Sequence, residues 1–155
     1  MIDRFVVVPA SYVVFLRPGP GSTREVLLML RSGTGYMDDH WATVAGHVEK
    51  GESVYDAARR EAREEVGVTD LELTPWCAMQ RTGKGEPIDE RVDYFFTCET
   101  WSGTPRIVEP QKCADLRWVG LDDLDALPQP VVPHERVVLD AVRAGRTDPI
   151  VVHGF

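Results

Sequence analysis

The chain has 155 residues, of which 43% are hydrophobic and 27% charged. That suits one folded α/β domain over residues 1–155 and excludes a disordered chain. A formal net charge of −8 speaks against partners that need a basic face, namely long nucleic acids and anionic membranes, yet leaves room for a small anion bridged by a metal ion.

No apolar run is long enough to span a bilayer. The stretch from Phe5 to Leu16 is interrupted by Pro9, Ser11 and Tyr12 and has no basic leader, so a signal peptide is not expected. Cys77, Cys98 and Cys113 are odd in number and form no CxxC pair. This argues against a disulfide framework or a cysteine zinc site and for idle thiols in a reducing cytoplasm.

In chain order, Val6 to Arg17 reads as a strand rich in Val, Tyr and Phe, and Pro18 to Ser22 as a turn. Glu25 to Arg31 is a second strand, making a hairpin with the first. Ser32 to His40 is a loop, and Trp41 to Ala45 a short extended segment. A helix follows, with Ser53 as N-cap, Asp56 as the acidic partner of a capping-box-like pair, and Gly67 as the left-handed residue that ends it. Leu71 to Arg81, Arg91 to Trp101 and Asp115 to Val119 read as strands, and His134 to Ala144 as a second amphipathic helix. Strands, helix, strands and helix in that order favour a mixed sheet with helices on both faces.

The informative segment runs from Gly46 to Val68, GHVEKGESVYDAARREAREEVGV. At about 100° per residue, Glu61, Glu64 and Glu65 share one face of the first helix. Carboxylates gathered there repel one another, relieved in part by Arg60 at i,i+4 to Glu64. Clustered carboxylate oxygens suit a hard divalent cation such as Mg²⁺, which keeps positions open for substrate phosphates. Gly46 and Gly51 allow tight turns in the preceding loop, where a backbone carbonyl can turn inward as a ligand. Alone, the REAREE stretch would suit a solvated surface helix with paired charges.

The whole segment resembles the Nudix box, GX₅EX₇REUXEEXGU, where U is a bulky aliphatic residue. Gly46, Glu52, Arg60, Glu61, Glu64, Glu65, Gly67 and Val68 fill the fixed positions, and only Ala62, at the first U, is small. The resemblance to Nudix (MutT-like) hydrolases implies the Nudix fold, an α/β/α sandwich around a mixed sheet. It implies Mg²⁺, with Mn²⁺ able to substitute, held by the Gly46 carbonyl and by Glu61, Glu64 and Glu65. It also implies that Arg60 orients the glutamates and that Glu52 supports the loop. The activity it implies is cleavage of a nucleoside diphosphate linked to a group X. A nucleoside triphosphate, in ordinary or oxidised form, cut to NMP and pyrophosphate is the leading substrate. An ADP-ribose, other nucleotide-sugar or dinucleotide pyrophosphatase is the alternative, and a homodimer is left open. An isopentenyl diphosphate isomerase would need a cysteine motif that is missing here, and a non-catalytic nucleotide sensor would not need every box carboxylate.

Many members of the family read PGG where this chain has Val44-Ala45-Gly46-His47. His47, without partners in the sequence, reads as exposed rather than phosphate-binding. On a later loop, Glu109 is equally an exposed residue or the carboxylate that completes the metal site or acts as base. Arg81, Lys84 and Arg91 around a hairpin could meet phosphates, although solvated charges are the plainer reading. Trp41 suits the core, Tyr36 could stack on a base, and His134, where relatives often read the base, could instead belong to a helix start at Pro133.

Overall fold

The computed structural model describes residues 3–155. Its longest strand, β1 (Val8–Pro18), organises the rest. Along one edge β1 runs parallel to β6 (Glu90–Cys98), from Val8 opposite Arg91 to Phe15 opposite Cys98. Its other edge is shared. β4 (Val44–His47) pairs antiparallel with Ala10 to Val13, whereas β2 (Arg24–Arg31) pairs only with Leu16 to Pro18. Beyond that short hairpin β1 and β2 diverge, and the segment 41–47 fills the gap. There β3 (Trp41–Ala42) pairs with β2 while β4 pairs with β1.

The far edge of β2 carries β7 (Cys113–Gly120). On the other side of β6 lie β5 (Leu73–Thr82), antiparallel to it, and then β8 (Ile150–His153), parallel to β5. The main path is thus β3-β2-β1-β6-β5-β8, a mixed sheet. The expected strands are all present within a few residues. The expected segment 41–45 proves to be two strands with different partners, and β8 was not anticipated, being only four residues long.

Alternation along β1 explains the layers. Ala10, Tyr12, Val14 and Leu16 pack in one cluster with Val138, Leu139 and Val142 of α2 (Pro133–Ala144). Val13 and Phe15 pack in the other with Ala58, Ala62 and Val66 of α1 (Val54–Val66). A strand covered on both faces needs a continuous apolar run, which is what this stretch of sequence supplies. The result is the expected α/β/α sandwich.

The ends of α1 and the Pro133 start of α2 are as expected. The Ser53 side chain accepts a hydrogen bond from the Asp56 N–H at 3.0 Å, and Gly67 ends α1 with φ 71°. Pro133 opens α2 and Gly145, φ 65°, closes it. Ala57, Ala58 and Ala62 of α1 are all fully buried. Ala62, small for its position in the box, lets the helix lie close on the sheet. A larger side chain there must displace either layer. Ala62→Leu should therefore lower the stability of the fold by about 1–3 kcal/mol, read as an earlier midpoint in urea denaturation.

Candidate active site

The segment 46–53 is tied to α1 by one side chain. The Arg60 guanidinium donates to both oxygens of Glu52, at 2.8 and 3.0 Å, to Glu61 at 2.7 Å, to Glu64 at 3.2 Å and to the His47 carbonyl at 2.9 Å. Glu52 in turn accepts from the Glu49 N–H at 3.0 Å. The Arg60 hydrogen bonds are the largest cause of a Glu52 pKa below the ordinary range. Gly46 meets α1 from the other side. A Cβ there would overlap the Glu61 carboxyl, so only glycine lets the strand end and the carboxylate share that space.

Glu65 lies one turn from Glu61. Its Oε2 accepts a hydrogen bond from the Ala45 N–H at 3.1 Å. Burial is the largest influence on both carboxylates and raises both pKa values, strongly for Glu65; the charges of Glu61 and Glu109 raise Glu65 further. Burial, and after it the neighbouring carboxylates, thus penalise the charged forms although Arg60 is close, a condition that a cation would relieve. Carboxylate oxygens with the Gly46 backbone against the Glu61 carboxyl suit a hard divalent ion. Among the described residues, no three or more His, Cys, Asp or Glu side chains stand already gathered as a metal cluster.

Glu61, Glu65 and Gly46 line a cavity of about 680 Å³ at the splayed end of β1 and β2. Glu109, Tyr36, Arg81, His134 and His47 line it too. Glu64, the third carboxylate of the helix face, does not. Its side chain is 50% exposed and pairs with Arg60. Glu109 lies 3.5 Å from Lys112. Tyr36 is 46% exposed, with the Arg31 guanidinium 5.6 Å from its ring centre. Trp41 is fully buried and His47 exposed, as expected.

The reading of Arg81 and Arg91 as solvated charges is overturned. Both are largely buried, and Arg81 donates to Asp93 at 2.8 Å. His134 is buried as well, with its Nε2 3.1 Å from the Tyr12 hydroxyl. Burial, followed by the charge of Arg81, pushes its pKa down to about 3, so the ring is neutral. Glu135, beside it, accepts from the Thr43 N–H at 2.8 Å and from the Thr43 hydroxyl at 2.6 Å, both through Oε1. Thr43 lies between β3 and β4, and this carboxyl satisfies its N–H in place of a strand partner.

Tyr12, Thr43, Asp93 and Glu135 had no assigned part in the sequence reading. The one usable signal was the spacing of Arg91 and Asp93, which places both on one face of a strand.

A model of the NUDIX domain matches residues 8–142. This chain belongs to the NUDIX domain family. It is 34% identical over 130 residues to the NAD-capped RNA hydrolase NudC of Stutzerimonas stutzeri (strain A1501), covering 83% of this chain and 45% of that protein. Its identity to the protein of the same name from Deinococcus radiodurans is 30% over 136 residues, covering 88% and 45%. The NUDIX chain thus spans about half the length of the curated relatives it matches.

Among solved structures, a MutT NUDIX hydrolase from Burkholderia pseudomallei matches with TM-score 0.75 and 29% identity over 88% of this chain and 98% of that one. The NUDIX domain of Shewanella oneidensis NrtR, solved with ADP ribose, shares the fold at TM-score 0.70 and 16% identity, over 90% and 89%.

The buried Glu135 lends itself to measurement. Burial lifts its carboxyl from an ordinary 4.5 to about 7. An acid raised on folding stabilises the fold while it is protonated in both states, and that contribution is lost as pH climbs from about 4.5 through about 7. Glu135→Gln keeps an acceptor for Thr43 and removes the titration. Across that range the wild type should lose about 3 kcal/mol more stability than the variant, measured by denaturant unfolding at each pH.

Proposed function

We propose that this NUDIX domain hydrolyses the diphosphate linkage of a nucleoside diphosphate derivative, with a nucleoside triphosphate as substrate and NMP and pyrophosphate as products. The observation that carries the reading is the convergence of Glu61, Glu65 and Glu109 with the Gly46 backbone in one cavity. Its volume of about 680 Å³ is within the range that holds one small ligand. The net charge of −8 favours a small substrate over a long nucleic acid.

In this reading Glu61, Glu65 and the Gly46 carbonyl would hold Mg²⁺ or Mn²⁺, and Glu64, which stands outside the cavity on Arg60, would join them by releasing that pair. The cation, when bound, supplies neutralisation of phosphate charge and Lewis acidity. Arg60 keeps Glu61 in place while Glu52 anchors Arg60. Glu109 takes the proton of the water that attacks phosphorus, and the bridging phosphorus–oxygen bond breaks with its electron pair leaving on the departing phosphate. Tyr36 stacks on the substrate at the cavity rim, while Arg81 and His134 contact it from the floor.

A second reading, a dinucleotide pyrophosphatase, is supported by the 34% identity to a protein named as an NAD-capped RNA hydrolase.

The deciding experiment is a panel of nucleoside triphosphates, dinucleotides and nucleotide sugars with products quantified. NMP and pyrophosphate should appear with Mg²⁺ and vanish in excess EDTA; full turnover in EDTA would refute metal dependence. Glu65→Gln should lower kcat by about 10²–10³-fold while the fold persists. A rise in its metal-free melting temperature, as repulsion from Glu61 is relieved, would accompany this.

Glu109→Ala separates base from bystander. For a base, kcat and kcat/KM fall together. Values within about twofold of wild type would remove Glu109 from the mechanism and leave Glu61 as the first alternative.

A further inference from the structure

The floor of the cavity carries more positive charge than the fold itself accounts for. Arg81 of β5 and Arg91 of β6 are direct partners in the antiparallel register. They therefore face each other on one side of the sheet, an arrangement of like charges that destabilises a ladder unless something lies between them. Asp93, two residues beyond Arg91 on the same face, is the one carboxylate placed to do so, and its side chain is completely buried.

Asp93 serves only one of the two. Its Oδ2 lies 2.8 Å from Arg81 Nε, whereas its Oδ1 stands 4.0 Å from Arg91 Nε, beyond hydrogen-bond length. Arg91 Nε and Asp93 Oδ1 are the two buried side-chain polar atoms without a partner among the described residues. The rest of the Arg91 fork reaches only a backbone carbonyl, that of Ile88, at 3.2 Å.

Among the described residues, no carboxylate other than Asp93 lies within ion-pair reach of either arginine. His134, 3.8 Å from Asp93 Oδ2, is neutral, and the buried Tyr12 phenol, its pKa raised first by burial, is neutral too. Glu135 has one oxygen committed to Thr43. The rim carboxylate Asp89 accepts the Glu86 N–H at 3.2 Å. The charges of both arginines reach His134, which they depress.

One carboxylate engages only the Arg81 Nε and one carbonyl only an Arg91 terminal nitrogen, which leaves donors on both forks for a ligand. Both arginines line the same cavity as Glu61 and Glu65. A planar fork in a partly desolvated site matches the oxygens of a phosphate or carboxylate.

We propose that Arg81 and Arg91 form a subsite for an oxyanion group that the substrate carries in addition to the diphosphate that is cut. This rests on the hydrolase reading above. The two sources of such a group are a third phosphate in the chain and a phosphate monoester on the sugar, and both present the same oxygens to the forks. A bare dinucleotide carries neither.

The test has a binding arm and a kinetic arm, both on the full chain. In excess EDTA, inorganic phosphate is titrated by calorimetry into wild type, Arg91→Gln and Arg81→Lys. Arg81→Lys keeps the charge beside Asp93, so the fold survives while the fork is lost. Wild type should bind phosphate, and each variant should weaken that binding at least tenfold. In the kinetic arm, kcat/KM with Mg²⁺ is compared for ATP against ADP and for NADP⁺ against NAD⁺, pairs that differ by one phosphate. Wild type should prefer the member with the extra phosphate in one pair, and Arg91→Gln should abolish that preference while the other member changes by less than threefold. The responding pair identifies the source of the oxyanion.

Equal losses for both members of each pair, or phosphate binding unaltered in both variants, would overturn the subsite. Arg91-dependent phosphate binding in a chain that hydrolyses nothing on the panel would sink the hydrolase reading and keep the subsite. Turnover without Arg91-dependent phosphate recognition would do the reverse.

Discussion

Arg60 is the interaction on which the site depends. A single guanidinium satisfies both oxygens of Glu52, one of Glu61, one of Glu64 and the His47 carbonyl. It thereby fixes the loop after β4 to the helix that follows and sets the position of two helix carboxylates at once. Only an arginine can do this, because a planar fork offers five donors in fixed directions whereas an ammonium offers three on a flexible stem. With the fork in place, Gly46 can approach Glu61 without a side chain between them. Glu61 then sits over the cavity, while Glu64, on the same fork, stays at the solvent side.

The cavity exists because of a backbone choice several residues away. β1 and β2 pair over three positions and then part. The gap is bridged by two short strands with Thr43 between them, whose backbone N–H is satisfied by the buried Glu135 carboxyl instead of a neighbouring strand. A buried N–H must find an acceptor somewhere, and here the acceptor comes from the first turn of α2. One hydrogen bond thus joins the sheet, the second helix and the cavity wall. It keeps in the interior a carboxyl whose proton affinity is raised by burial.

Charge is distributed unevenly around that cavity. Glu61 and Glu65 bring excess negative charge on α1, and Arg81 with Arg91 brings excess positive charge on the sheet, with one fully buried aspartate between the arginines. Neither excess is what stability alone would select, since buried charge without a full complement of partners costs free energy. Uncompensated groups of opposite sign in one enclosed space fit a ligand that brings anions together with a cation.

Gly46 to Val68 carried the fold family and the acidic face in its own spacing. A helix period of 3.6 residues places Glu61, Glu64 and Glu65 together whatever surrounds them, and Ser53 and Gly67 bound that helix by local backbone chemistry. The apolar run of β1 likewise disclosed a strand covered on both faces. These are short-range properties, fixed by covalent geometry and nearest neighbours. Tertiary structure decided which of the three glutamates face the cavity, because that depends on where Arg60 is drawn by Glu52. It also decided the fate of Arg81, Arg91, His134 and Glu135. Their sequence neighbourhood suggested a solvated hairpin and an ordinary helix start, yet the register of β5 on β6 and the packing of α2 against β1 bury all four. Burial comes from contacts between segments far apart in the chain, and local sequence carries no record of which segment will lie on top of which.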